Sequence, residues 1–340
     1  MRLLQAMAGA RHGGAEAFFV RLALALQRAG QEQRVLIRAD AARAQALRRG
    51  GVAVTELPFG GLLDLATRWG FRGAIADYRP NVVLTWMNRA SQLCPRGDFV
   101  HVARLGGYYN LKYYRGCDHL IGNTRDIVAY LVDHGWPSER AHYLPNFVAA
   151  ERAPPVPRAS LDTPLGVPLA LALGRLHPNK GLETLLTALE MVPDLHLWLA
   201  GEGALRAALE GQARSLGLAA RVRFLGWRDD TAALLAAADL LVSSSRREPL
   251  GNVVIEAWAA GVPVVATASE GPRALIRDEE NGLLVPVDDP PGLAAALRRV
   301  IADPGLAALL GAGGRAAYAA EFSEERVVGL YREFLAGVVR

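Results

Sequence analysis

The 340-residue chain has only two cysteines, Cys94 and Cys117, and neither sits at a metal-ligand spacing. A disulfide framework and a cysteine-built zinc site are thereby excluded, and a reducing compartment is expected. Lysine is equally scarce: of 38 Lys and Arg residues only Lys112 and Lys180 are lysine. Where arginine is the habitual cation, a lysine marks a place suited to a compact charge on a flexible stem, and Lys180 is the stronger case. Long apolar runs are missing too. The longest, Val253 to Ala268, is broken by Glu256, Gly261 and Pro263, which excludes a membrane span. The start has the charge and small residues of a secretory leader, but Gln5, Arg11 and His12 interrupt its core. No Asp-x-Asp and no His/Cys cluster occurs, so neither a bound metal nor another cofactor is expected. A cytoplasmic protein, soluble or peripheral at the inner face of a membrane, is the expectation.

The composition is 51% apolar and 21% charged. That is globular and rules out a disordered, collagen-like or coiled-coil chain. The length suits two domains. Net charge is +4 but uneven: residues 1–150 carry +8 and the remainder −4. A basic first half suits an anionic partner, whether nucleic acid, membrane or an acceptor molecule.

Short apolar strands alternate with helical patterns along the chain. Arg2–Met7, Arg34–Arg38, Val52–Leu57, Val82–Trp86, Phe99–Ala103 and His119–Gly122 read as strands of a first domain. Pro154, Pro155, Pro157, Pro164 and Pro168 then mark a linker over 151–168. Alternation restarts with the strands Leu169–Leu173, Leu195–Ala200, Arg221–Leu225, Leu240–Ser243 and Val262–Thr267. Strands this apolar predict parallel sheets buried on both faces, in two doubly wound α/β domains with the active site in a cleft beyond the strands' carboxyl ends.

Three loops carry chemistry. Ser243 to Glu256 runs from a strand end through Glu248, Leu250 and Gly251 into a helix opening at Asn252, whose free amides suit phosphate. Glu248 and Glu256 suit sugar and ribose hydroxyls, since carboxylates accept from neutral donors. Gly174-Arg175-Leu176-His177-Pro178-Asn179-Lys180-Gly181 places two cations on one loop, able to grip a diphosphate. Between the first strand and first helix, Gly13 and Gly14 permit close backbone approach to a ligand, while Glu16 is explained by the helix dipole.

In this order and spacing, the three loops resemble glycosyltransferase family 4, the retaining GT-B enzymes with a Glu-x7-Glu signature. The likeness covers essentially the whole chain and includes Pro145-Asn146 at the close of the first domain. It implies two Rossmann-like domains facing across a cleft: 1–150 for the acceptor, 169–322 for the sugar nucleotide, and 323–340 as a helix crossing back. It also implies retaining, metal-independent transfer of a hexosyl unit from a nucleoside-diphosphate sugar, with UDP as the first choice. The acceptor would be a glycan or anionic glycolipid such as lipopolysaccharide core. Arg175 and Lys180 would bind the diphosphate, and Glu248 the donor sugar. Amides of Leu250, Gly251 and Asn252 would lie near sugar and phosphate, Glu256 would hold ribose, and Phe224 and Gly226 would border the base. His101 stands nearest the place of a family histidine and is the catalytic candidate in the first domain; the alternatives are that it is a satisfied core histidine and that Arg104 or the Gly106-Gly107-Tyr108-Tyr109 turn takes that place. The loop often written Gly-Gly-x-x-Glu reads Ser269-Glu270-Gly271-Pro272-Arg273-Ala274 here, a departure that touches donor contacts.

The tyrosine-rich segment Tyr108–Arg115, just past a strand end, is expected to face the cleft and hold the acceptor through its rings, Lys112 and Arg115; the alternative is that the tyrosines pack a helix against the sheet and the cations only solubilise. Two alternatives stay open: a sugar-nucleotide epimerase or hydrolase on the same architecture, and a basic nucleic-acid- or membrane-binding module. Because the arginines are dispersed and no nucleic-acid motif occurs, nucleic acid is not the expected partner.

Overall fold

The computed structural model describes residues 1–10, 13–60, 64–150 and 152–339. The chain divides into two compact units, Met1–Phe147 with Glu324–Arg340, and Val148–Ser323. In the first unit the strands are β1 (Leu3–Met7), β2 (Gln33–Arg38), β3 (Ala53–Leu57), β4 (Val82–Trp86), β5 (Val100–Leu105), β6 (His119–Gly122) and β7 (Ala141–Tyr143). They form one parallel sheet in the order β3-β2-β1-β4-β5-β6-β7. In the second unit β8 (Leu169–Leu173), β9 (His196–Ala200), β10 (Val222–Gly226), β11 (Leu240–Ser243), β12 (Val264–Thr267) and β13 (Leu283–Val285) pair in parallel as β10-β9-β8-β11-β12-β13. Each order reverses direction once, between β1 and β4 and between β8 and β11. Such a reversal splays the following loops apart and leaves a crevice at the carboxyl ends of those two strands.

Burial explains why these residues form strands. Every residue of β1, β4, β11 and β12 is buried, the pattern of a sheet covered by helices on both faces. β7 has only half-buried residues, Ala141, His142 and Tyr143, and lacks the apolar run that reveals the others.

The last helix, Glu324–Val338, belongs to the first unit. Its Val327, Val328, Tyr331 and Leu335 join Phe18, Phe19, Trp86 and Phe147 in one apolar core. Arg104 threads this core. Its guanidinium lies 4.6 Å from the Phe18 ring and 4.7 Å from the Trp86 ring. Its Nε donates to the Tyr331 hydroxyl at 2.8 Å, and another nitrogen donates to Asn146 Oδ1. A buried cation is tolerable there because ring faces and oriented dipoles replace its hydration.

The Pro-rich stretch is not a free tether. Val156 N donates to Ala233 O at 3.1 Å, and Arg158 bonds the Ala237 carbonyl and Asp239, all within the second unit. Proline fixes the backbone in advance, so this segment docks at a small entropic cost.

Candidate active site

In the second unit, two loops meet at the crevice between β8 and β11. After β8 the chain turns through Gly174, whose φ of +140° lies outside the usual range of side-chain-bearing residues. A 3-10 turn, Pro178–Lys180, follows, and Gly181 ends it at φ +56°. Any Cβ on Gly181 would lie 2.2 Å from Ser244 O, so glycine is what lets this loop touch the one after β11. The contact is laced by hydrogen bonds. Ser244 Oγ donates to Lys180 O at 2.9 Å, and Arg246 N and Arg247 N donate to Asn179 O at 2.8 and 3.1 Å. Arg246 clamps the far side through Asp288 at 2.7 Å and Glu183 at 3.2 Å.

This scaffold brings Lys180 and Glu248 together as an ion pair, although 68 residues separate them in sequence. Both side chains are mostly shielded, at 21% and 16% exposure, so screening by water is partial. Glu248 is held from three sides: Gly251 N donates to its Oε1 at 3.3 Å, its own N donates to Glu270 Oε2 at 3.2 Å, and Gly271 N donates to its carbonyl at 2.6 Å. Gly271 admits that approach because a Cβ would stand 2.6 Å from Glu248 O and 2.5 Å from the Leu250 carbonyl carbon. Gly251, at φ +79°, turns the chain into the helix Asn252–Ala260. Asn252 and Glu256 lie four residues apart, hence on one helix face, both half-buried. Arg175 is exposed at the mouth of the hollow lined by Gly174, Lys180 and Ser243–Ser245.

Phe224 and Gly226 end β10, two strands from β8 at the same edge. At about 4.8 Å per strand they stand roughly 10 Å from the Lys180 loop. Gly226 has φ +69°, and its carbonyl accepts from Gly201 N at 2.7 Å.

In the first unit, the loop after β1 contains Arg11 and His12, which lie outside the described residues. Glu16 is buried, and its Oε1 accepts from Ala10 N at 2.7 Å. A Cβ on Gly9 would meet Glu16 Cγ at 2.7 Å, and one on Gly13 would meet Oε2 at 2.2 Å. Helix-dipole complementarity is thus an insufficient explanation of Glu16, which holds Ala10 and packs against Gly9 and Gly13.

His101 requires a correction. It is the second residue of β5, at the amino end rather than the carboxyl end. Its ring nitrogens contact Thr85 Oγ1 at 3.0 Å and Gly116 O at 3.2 Å. Burial lowers its pKa to about 4, keeping it neutral at ordinary pH. It is a satisfied core histidine, and the structure gives it no catalytic position. The expected acceptor tyrosines also divide. Tyr114 is wholly buried, Tyr109 and Tyr113 pack on that same apolar cluster, and Tyr108 is exposed, its hydroxyl donating to Asp126 at 2.5 Å.

Glu270 is the site residue that sequence reasoning passed over, treating it as a lost glycine. The available signal was an acid directly before Gly271. Among the described residues, no three His, Cys, Asp or Glu side chains gather as a metal-holding group.

Comparison with known proteins gives the family and the fold. Residues 12–152 match the description "Glycosyltransferase Family 4", and residues 167–303 match "Glycosyl transferases group 1". The lipopolysaccharide core biosynthesis glycosyltransferase LpsE of Rhizobium meliloti is 40% identical over 331 residues, 96% of each chain. LpsD of the same organism is 38% identical, covering 94% of each. Among solved structures, Anabaena HepE in complex with UDP superposes with a TM-score of 0.88 at 22% identity, covering 99% of this chain and 100% of the other. WaaG, a glycosyltransferase involved in lipopolysaccharide biosynthesis, gives 0.73 at 19% identity, covering 99% and 100%. The structural likenesses carry the fold, the paired Rossmann-like sheets of GT-B glycosyltransferases.

Proposed function

The chain belongs to the family 4, group 1 glycosyltransferases, and from that premise we propose that it moves a hexosyl unit from a UDP-sugar onto lipopolysaccharide core, with retention and without a metal. The observation carrying this is the Lys180–Glu248 pair, held where two loops converge at the β8/β11 crevice.

A departing nucleoside diphosphate gathers negative charge on its phosphate oxygens. Lys180, Arg175 and the first amides of the helix Asn252–Ala260 supply positive partners for it at one strand edge. In the structure Lys180 rests on Glu248. A diphosphate, carrying more charge than one carboxylate, would draw the ammonium away and free Glu248 to accept from the donor sugar's hydroxyls. Leu250 and Gly251 would offer amides beside the sugar, Glu256 would hold ribose hydroxyls, and Phe224 and Gly226 would border the base. Retention follows if the acceptor hydroxyl attacks the face the diphosphate leaves. Such a step needs stabilisation of the leaving group and accurate placement rather than a strong nucleophile. The β1/β4 crevice, beside Gly9, Ala10, Gly13 and Gly14, is where we place the acceptor. The LpsE and LpsD names support lipopolysaccharide core, and the UDP in HepE supports uridine. No helix among the described residues is long and apolar enough to cross a membrane. The +8 charge of residues 1–150 supports peripheral contact with an anionic membrane or glycolipid. Nucleic acid has no part in the proposal.

The test is transfer of radiolabel from a panel of UDP-, GDP- and ADP-sugars to truncated core acceptors, with and without EDTA. A UDP-sugar should be used, the anomeric configuration kept, and activity should survive the chelator. Transfer from another nucleotide alone, inverted product, or loss restored by Mg²⁺ would each overturn the corresponding part.

A further inference from the structure

We propose that the first unit carries a second ligand site, a pocket for a phosphorylated sugar on the flank of its sheet. The pocket has a cavity of about 650 Å³, within the usual range for small-molecule sites. One wall is the 3-10 turn Leu111–Tyr113 with Lys112 and Arg115, and the other is the connector that follows helix Arg125–Asp133, with His134, Trp136 and Arg140. Cys117 and Arg140, which also line it, stand just before β6 and β7. The pocket therefore opens near the amino ends of those strands. The carboxyl edge, where the transfer chemistry is placed, is about one strand length away, roughly 13 Å for a four-residue strand.

Its charge is one-sided. Lys112, Arg115 and Arg140 line it, and none of the lining residues is Asp or Glu. Asp118 lies 3.6 Å from Arg140, but its other oxygen already accepts from His101 N at 2.8 Å. Lys112 and Arg115 are exposed, and neither is in a salt bridge among the described residues; Lys112 Nζ only overlies the Tyr113 ring at 5.0 Å.

The aromatic wall, by contrast, is fixed in place. Trp136 Nε1 donates to Arg140 O at 3.0 Å, and the Tyr130 hydroxyl donates to Tyr109 O at 3.1 Å. The Tyr130 ring lies 4.0 Å from the His134 ring at a tilt of 39° and forms a T-shaped pair with Tyr108 at 5.2 Å. Tyr130 and Trp136 also pack on the apolar cluster around Tyr114 and Leu131, so each offers the pocket only the remainder of its ring for the C–H side of a sugar, while Lys112 and Arg115 await a phosphate. A bare anion would leave the rings unused. An uncharged sugar would leave the cations unused. Within the proposed transfer reaction, which this inference rests on, the pocket would hold a phosphate-bearing sugar of the acceptor away from the hydroxyl that reacts.

The test is calorimetric titration of the full chain with glucose 6-phosphate, glucose and inorganic phosphate, beside sedimentation with phosphatidylglycerol vesicles. Glucose 6-phosphate should bind, more tightly than inorganic phosphate, and glucose alone should not. Lys112→Gln with Arg115→Gln, both at exposed positions, should weaken the sugar phosphate by about tenfold or more. Trp136→Phe and Trp136→Leu should weaken the sugar phosphate progressively while leaving inorganic phosphate unchanged. Equal binding of phosphate and glucose 6-phosphate, or an unaffected double variant, would overturn the proposal. Vesicle binding that depends on Lys112 and Arg115, without any glucose 6-phosphate binding, would overturn it in favour of a membrane contact. UDP titrated into the same protein separates the two readings: failure of UDP to bind the wild-type chain would strike the donor site and leave this pocket standing.

Discussion

The two sheets share the strand order 3-2-1-4-5-6, yet their crevices are furnished differently. At β8/β11 the loops are polar and interlocked, and they bring a lysine and a glutamate together from distant sequence. At β1/β4 Glu16 holds Ala10 N beside Gly9 and Gly13, and the cation Arg104 of β5 is sunk between Phe18 and Trp86. One topology thus yields a charged grip in one unit and, among the described residues, an approach lined by Gly9, Ala10, Gly13 and Gly14 in the other. The fold decides where a ligand can sit, and the loops decide what it can be.

The sharpest break of this contrast is Lys180→Ala. If the second unit's crevice stabilises a leaving diphosphate, turnover should fall by roughly 10²–10³, the cost of removing one preorganised charge partner. Steady-state kinetics, with thermal melting to confirm the fold, would check it; near-normal turnover would dissolve the distinction between the crevices.

A smaller effect is expected from Gly13→Ala. The added methyl would occupy space 2.2 Å from Glu16 Oε2, forcing the carboxylate out and releasing Ala10 N. The acceptor KM should rise severalfold while UDP affinity stays constant. Equal losses on donor and acceptor would mean that the first unit's turn is not specific to the acceptor.

The smallest effect concerns His101 and pH. Its folded pKa, about 4, lies below the ordinary 6.5, so the unfolded chain binds the proton more readily between those values. The stabilisation from keeping it neutral is complete above pH 6.5, declines as pH falls toward 4, and falls no further below that. His101→Asn should therefore lose less of its melting temperature between pH 7.5 and pH 5 than the wild type does. A catalytic His101 would instead show a large loss of turnover in the same variant.

Much of this was legible in the sequence because buried parallel strands are apolar throughout. Val82–Trp86, His119–Gly122, Leu169–Leu173 and Leu240–Ser243 coincide with the observed strands. β13, Leu283–Val285, escaped because three residues carry no period, and β7 because it is half-polar. The loop residues of the second unit were legible as cation-and-glycine patterns. Their pairing was not, since the Lys180–Glu248 contact depends on Gly181 meeting Ser244 across the crevice. Glu16 was misjudged for a related reason: a carboxylate in a first helical turn looks the same in sequence whether it faces solvent or holds Ala10 N. The prolines at 154–168 lie inside the second unit, whose division from the first falls between Phe147 and Val148, and the stretch folds onto that unit.

The most direct measurement is calorimetric titration of UDP into three proteins: wild type, Lys180→Ala and Gly13→Ala. If the β8/β11 crevice alone grips the diphosphate, Lys180→Ala should weaken UDP by about tenfold or more while Gly13→Ala binds as wild type does. UDP affinity that is unchanged in Lys180→Ala, or reduced equally in both variants, would contradict the assignment of the donor to the second unit's crevice.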